Sequence, residues 1–145
     1  MNDLSYTAKV FKTVWVSDVH LGTKGSRAKE FLEFLKTIEC EKIFLVGDIV
    51  DGWQLSKRWY WPQTHNDVVQ KILEKAKRGT EIIFIPGNHD EVARDFIGLT
   101  MGGIKVKDDD IHYTADGNKF WVVHGDLFDN VIQHARWLAY IGDWA

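Results

Sequence analysis

Cysteine is nearly absent from this chain: Cys40 stands alone among 145 residues. An intrachain disulfide is therefore impossible, a reducing compartment fits, and Cys40 reads as a packing residue. Long apolar runs are missing as well. The N-terminal stretch MNDLSYTAKVFK lacks the uninterrupted apolar segment of a signal peptide, and no later stretch approaches the roughly 20 apolar residues of a spanning helix. The expected location is the cytoplasm, at most peripheral to the inner face of a membrane. A positive field is also lacking, with a net charge of -3, so sequence-independent nucleic-acid binding is not expected. What is present, 45% hydrophobic and 27% charged residues, suits one soluble globular domain with a real core.

Strands and helices alternate along the first two thirds. Val10 to Ser17 is a β-branched and aromatic run that stops at Asp18. Ser26 is placed to cap a helix whose apolar residues Ala28, Phe31, Leu32, Leu35 and Ile38 share one face. Lys42 to Val46 is a second strand ending at Gly47-Asp48. Gly52 to Pro62, rich in tryptophan, reads as a packed loop with some helix. Asn66 to Arg78 repeats the helical pattern before Gly79, and Glu81 to Ile85 is a third strand ending at Pro86-Gly87-Asn88. Asp90 to Ile97 reads as a short helix and Ile104 to Val106 as a brief strand. Ile111 to Ala115 and Lys119 to Val123 form a hairpin about Asp116-Gly117-Asn118. The order predicts an α/β fold with a mostly parallel sheet flanked by helices and its strand C-termini gathered on one edge.

The chemistry sits at those ends. Four strands finish in Asp18-Val19-His20, Gly47-Asp48-Ile49-Val50-Asp51, Gly87-Asn88-His89-Asp90 and His124-Gly125-Asp126. Converging on one crevice, these carboxylates would repel and protonate unless a cation sat among them. Oxygen and imidazole donors without thiolate suit manganese, iron or zinc rather than calcium. Gly47, Gly87 and Gly125 are expected to let the backbone turn sharply beside a ligand. His65, His112 and His134 lie outside the motifs and read as structural or surface residues. Asp108-Asp109-Asp110 reads as a solvated turn, and Lys57 and Arg58 as a solvated loop face.

The series D-x-H, G-D-x-x-D, G-N-H-D and H-G-D resembles the calcineurin-like metallophosphoesterases across residues 18 to 126. The resemblance implies an αββα sandwich, of which residues 1–145 would supply the N-terminal portion, and two divalent metal ions, manganese first, with iron or zinc as alternatives. It implies Asp18 and His20 on the first metal, Asp48 bridging both, and Asn88 with His124 on the second. His89, oriented by Asp51, would face the scissile phosphate, and a metal-bridging hydroxide would attack phosphorus between ions about 3.5–4 Å apart. The stretch G-D-I-V-D-G-W is similar to that of UDP-2,3-diacylglucosamine diphosphatases. The expected partner is then a phosphorylated small molecule or lipid-nucleotide substrate. Those enzymes often have arginine where this chain has His89. The arginine that follows G-D-x-x-D in protein phosphatases is replaced by Gly52, which argues against a phosphoprotein substrate. Alternatives are a phosphodiesterase or nuclease on the same site, or a non-catalytic scaffold; retention of both Asp51 and His89 argues against the scaffold.

Family members close their site with a later G-H-x-H, which these 145 residues do not contain. The expectation is a domain truncated before that segment, with each metal short of a ligand and with uncovered apolar surface able to drive self-association. Residues 127–145 are apolar over much of a helical circumference, and read either as the start of a substrate lid or as a core helix. The isolated chain is expected to show weak or absent turnover of an aryl phosphodiester with manganese. Robust metal-dependent hydrolysis that copurifies with it would refute that expectation.

Overall fold

Each long apolar run becomes a strand in the computed structural model, which describes residues 7–129. In chain order the elements are β1 (Lys9–Val16), α1 (Ala28–Thr37), β2 (Ile38–Val46), α2 (Gly52–Lys57), α3 (Gln63–Lys77) and β3 (Glu81–Ile85). A 3-10 helix (Glu91–Phe96), β4 (Thr100–Met101), β5 (Ile104–Val106), β6 (Asp110–Tyr113) and β7 (Lys119–Val122) follow. The main sheet has the order β1-β2-β3-β5-β4. Its first four members are parallel, and β4 is an antiparallel edge on β5.

Because the order steps in one direction from β1 to β3, right-handed crossovers carry α1 and α3 to the same face. Alternation along the strands sorts the core accordingly. Ile43, Leu45 and Ile82 pack with Leu32 and Leu35 of α1 and Val68 and Ile72 of α3. Their neighbours Phe44, Ile83 and Ile85 face the other way and pack with Val122 of β7. The β6-β7 hairpin thus covers part of the second face, and His112 meets the Trp15 and Phe44 rings edge-on. Trp15, Phe120 and Trp121 stay about half exposed there. No helix among the described residues is long and apolar enough to cross a membrane.

Several boundaries differ from expectation. Ile38 is not on the helical face of α1; it begins β2 and pairs with Lys9, so β2 starts four residues early. Ser26 does not cap α1, because its hydroxyl donates to the Val19 carbonyl at 2.7 Å and Arg27 occupies the cap position. α3 begins at Gln63 behind Pro62, three residues before Asn66. The Asp90–Ile97 helix is a 3-10 turn whose leading aspartate caps nothing in it. The aromatic loop contains α2, capped by Asp51, which accepts the Gln54 amide at 2.9 Å. Residues 126–129 turn helical, and the rest of the tail helix read over 127–145, with His134, lies outside the described residues.

His65 has the structural role expected of it. Only 3% exposed, it accepts the Gly22 amide on Nδ1 at 2.9 Å, tying α3 to the loop after β1. Burial holds its pKa below the ordinary histidine value. The unfolded chain therefore takes up this proton first. Stability is unaffected well above the unfolded pKa of about 6.5 and falls as pH drops below it, through the folded pKa. Equilibrium unfolding from about pH 7.5 to about pH 5 should show a steeper acid loss for the wild type than for His65→Asn, whose Oδ1 can accept the same amide. Equal slopes would refute the assignment.

Candidate metal and active site

The loops leaving β1 and β2 stay paired past the strand ends. Asp18 N donates to Gly47 O at 3.2 Å, His20 N to Asp48 O at 2.9 Å and Leu21 N to Ile49 O at 2.8 Å. Following that path requires left-handed backbone at Asp18 (φ 56°), His20 (φ 51°) and Asp48 (φ 55°). Among the described residues these are the non-glycine positions with positive φ. Such conformations cost energy and concentrate at working sites. Here they turn three successive motif side chains toward one another.

Asp48, 5% exposed, divides its two oxygens. Oδ1 accepts the His89 amide at 3.0 Å, while Oδ2 lies 4.0 Å from His20 Nε2 and 3.8 Å from His124 Nε2. Asp18 Oδ1 stands 3.7 Å from the same His20 nitrogen, and Ser17 donates to its other oxygen at 2.5 Å. Asp18, Asp48 and His124 each present a donor atom within 4.8 Å of the other two. Asn88 is half-buried between Gly87 and His89, in the turn that follows β3.

A second cluster within the same limit joins His20, Asp51 and His89, but its contacts are hydrogen bonds. Asp51 Oδ2 accepts Nδ1–H of His20 at 3.1 Å and of His89 at 3.0 Å, while Oδ1 caps α2. Burial acts to raise the Asp51 pKa, yet the Gln54 amide and the two imidazoles outweigh it and hold the carboxyl below the ordinary aspartate value. Asp51 is thus an acceptor with its lone pairs committed, and its charge fixes Nδ1 of both rings as the protonated nitrogen. His20 Nε2 then turns a lone pair toward two carboxylate oxygens at 3.7 and 4.0 Å. Those spans exceed a hydrogen bond and fall within reach of two donors sharing one ion at about 2.0–2.2 Å each. The residues present fit a divalent cation.

His124 enters differently from the expectation of four converging parallel strand ends: it follows β7 of the separate hairpin, beneath the opposite face. Two glycines make room for it. A Cβ on Gly47 would lie 2.1 Å from His124 Cδ2, and one on Gly87 2.9 Å from Cε1 and 2.5 Å from Asp48 Oδ1. Gly125, by contrast, has nothing within 4 Å of an added Cβ and no left-handed φ. Lys57 and Arg58 are exposed at the end of α2, and Trp53 lies against His89 with ring centroids 4.7 Å apart.

Three residues that build the site went unassigned in the sequence. Asp90, 6% exposed, accepts amides from Asp48 (3.2 Å), Ile49 (2.8 Å) and Gly87 (2.5 Å), lashing the β2 loop to the β3 loop. Asp126 accepts from His124 Nδ1 at 3.0 Å and from Arg94 at 2.6 Å. The signal was available in part, since both aspartates end a motif, but nothing local marks Arg94. The Asp108–Asp110 turn is likewise more engaged than a solvated loop, because Asp108 receives Arg94, Asp109 the Trp121 indole and Asp110 the Lys107 ammonium. Asp90→Ala should strand buried amides and lower unfolding free energy by at least about 3 kcal/mol. Urea denaturation that shows under about 1 kcal/mol would contradict this account.

Known proteins place the geometry in context. The chain is 27% identical over 118 residues to a UDP-2,3-diacylglucosamine hydrolase of Azotobacter vinelandii, covering 79% of this chain and 47% of that protein. It is 29% identical over 119 residues to one of Aliivibrio fischeri, covering 78% and 47%. The chain therefore spans about half the length of these relatives. In fold it is similar to a nuclease of Pseudomonas putida, at a TM-score of 0.41 and 22% identity over 67% of this chain and 48% of that one. Residues 11–142 match the family model of the calcineurin-like phosphoesterases, and the chain belongs to that family.

Proposed function

We propose that the protein is a metal-dependent phosphoesterase whose substrate is a pyrophosphate joining a nucleotide to a lipid-bearing group. The observation that carries the hydrolytic reading is Asp48 Oδ2, which faces Nε2 of His20 and His124 at 4.0 and 3.8 Å. One carboxylate oxygen between two imidazoles suits a pair of divalent ions. Asp18, His20 and Asp48 would hold one, and Asp48, Asn88 and His124 the other; manganese is the first choice, with iron and zinc as alternatives. Bound there, the metals supply Lewis acidity for the phosphoryl oxygens and a lowered pKa for attacking water.

The chain's own residues complete the chemistry. His89, with Nδ1–H held by Asp51, delivers a proton from Nε2 of its imidazolium to the leaving oxygen, and the Asp51 carboxylate stabilises that charged form. His20 shares the same acceptor oxygen, so one aspartate orients a metal-holding ring and a proton-donating ring together. Trp53, 51% exposed beside His89, offers an aromatic surface next to the reacting group. Gly52 stands where an arginine clamp for a phosphoprotein would be. These features, with the names of the two curated relatives, support the lipid-nucleotide substrate.

The test uses the natural gene product. Manganese binding should be abolished by Asp48→Asn and retained by His89→Asn, with His89→Asn losing about 10²–10⁴-fold in kcat. A panel of a UDP-linked diacylated sugar, an aryl phosphodiester and single-stranded DNA should rank the sugar first by kcat/KM. Hydrolysis indifferent to chelators would overturn the metal reading, and preference for DNA would overturn the substrate.

A further inference from the structure

We infer that Arg94 is a positioning residue for His124: acting through Asp126, it fixes the direction of the imidazole and so the affinity of one side of the cluster for a divalent cation. The inference rests on the metal-site reading above and adds a residue that none of the four motifs contains.

The connection is short and directional. Arg94 Nη2 donates to Asp126 Oδ2 at 2.6 Å, and Asp126 Oδ1 accepts from His124 Nδ1 at 3.0 Å. His124 then presents Nε2 to Asp48 Oδ2 at 3.8 Å. The Asp126 carboxylate is mostly buried, with 17% side-chain exposure. The same guanidinium reaches the Pro86 carbonyl and Asp108 Oδ1, each at 3.4 Å. One side chain thus ties the 3-10 helix to the end of β3, to the turn between β5 and β6, and to the loop that carries His124.

Two requirements of the site explain why a cation belongs there. An imidazole that holds a metal through Nε2 must keep its proton on Nδ1, and a carboxylate acceptor enforces that tautomer. Gly47 and Gly87 give the His124 ring its slot but do not select between nitrogens; Asp126 does. Asp126 keeps that direction only while its other oxygen, Oδ2, is itself held. Arg94 holds it by charge and by a rigid planar donor set, which a lysine reproduces only as a point charge.

The alternative is that Arg94 only clamps the 3-10 helix, in which case its loss would lower stability without separating the two sides of the cluster. Manganese titration calorimetry on the full chain and ¹⁵N NMR of the His124 ring in the metal-free chain distinguish these. Arg94→Met should weaken one manganese site by about 10–100-fold and leave the other within about twofold, with Arg94→Lys recovering part of the loss. In the metal-free chain the His124 signals should shift from the Nδ1–H tautomer toward a mixture. Asp126→Asn, which keeps the shape and removes the charge, should give the same split and serves where Arg94→Met folds poorly. Unchanged manganese affinities and unchanged His124 signals in the folded variants would overturn the inference while leaving the metal reading intact. A wild type that binds no manganese would overturn the metal reading, and the tautomer signal would still decide whether Arg94 positions His124.

Discussion

The Asp90 carboxylate is the tie on which the site's geometry depends. It is buried, it accepts amides from residues 48 and 49 on one loop and from residue 87 on another, and it bridges two strands whose own pairing ends at Val46 and Ile85. Past that point the β2 loop still pairs with the β1 loop, but its Asp48 and Ile49 amides have no strand acceptor on the β3 side and would face a dry interior alone. An anion at the focus of several N–H dipoles satisfies them together and sets the distance between the loops. Asp48 and His89 inherit their positions from it, since the Asp48 side chain takes the His89 amide at 3.0 Å.

The aspartates around this crevice are sorted by what approaches them. Asp90 receives backbone amides, Asp51 two imidazoles and a helix amide, and Asp126 an imidazole and a guanidinium. Each is neutralised by donors. Asp18 and Asp48 instead turn an oxygen toward imidazole nitrogens too distant for hydrogen bonding. The difference between a framework carboxylate and one available to a cation lies in these partners and not in residue type.

Much of the site was legible because each apolar run stops abruptly at a motif, and a parallel sheet must then gather the motifs. The β1, β2 and β3 ends behave in this way. The N-terminal half of β2 was not legible: Ile38-Glu39-Cys40-Glu41 has no continuous apolar character, and becomes strand only by pairing with Lys9 to Phe11. β4 is two residues long and exists as a partner of β5. Arg94 meets Asp126 across 32 positions, and Asp90 meets Asp48 across 42, so neither contact leaves a periodic trace. His124 reaches Asp48 by a route the sequence did not suggest, because the hairpin that brings it packs under the sheet instead of extending it.

The left-handed backbone at Asp18, His20 and Asp48 sets stability against function at the same three residues. Each conformation costs on the order of 1–3 kcal/mol for a side-chain-bearing residue, and glycine would relieve it. A population of this protein screened for heat resistance alone would therefore drift toward glycine at these positions and discard the cluster while keeping the fold. Selection that includes a bound cation would oppose that drift, because an ion held only by the folded chain returns stability through mass action.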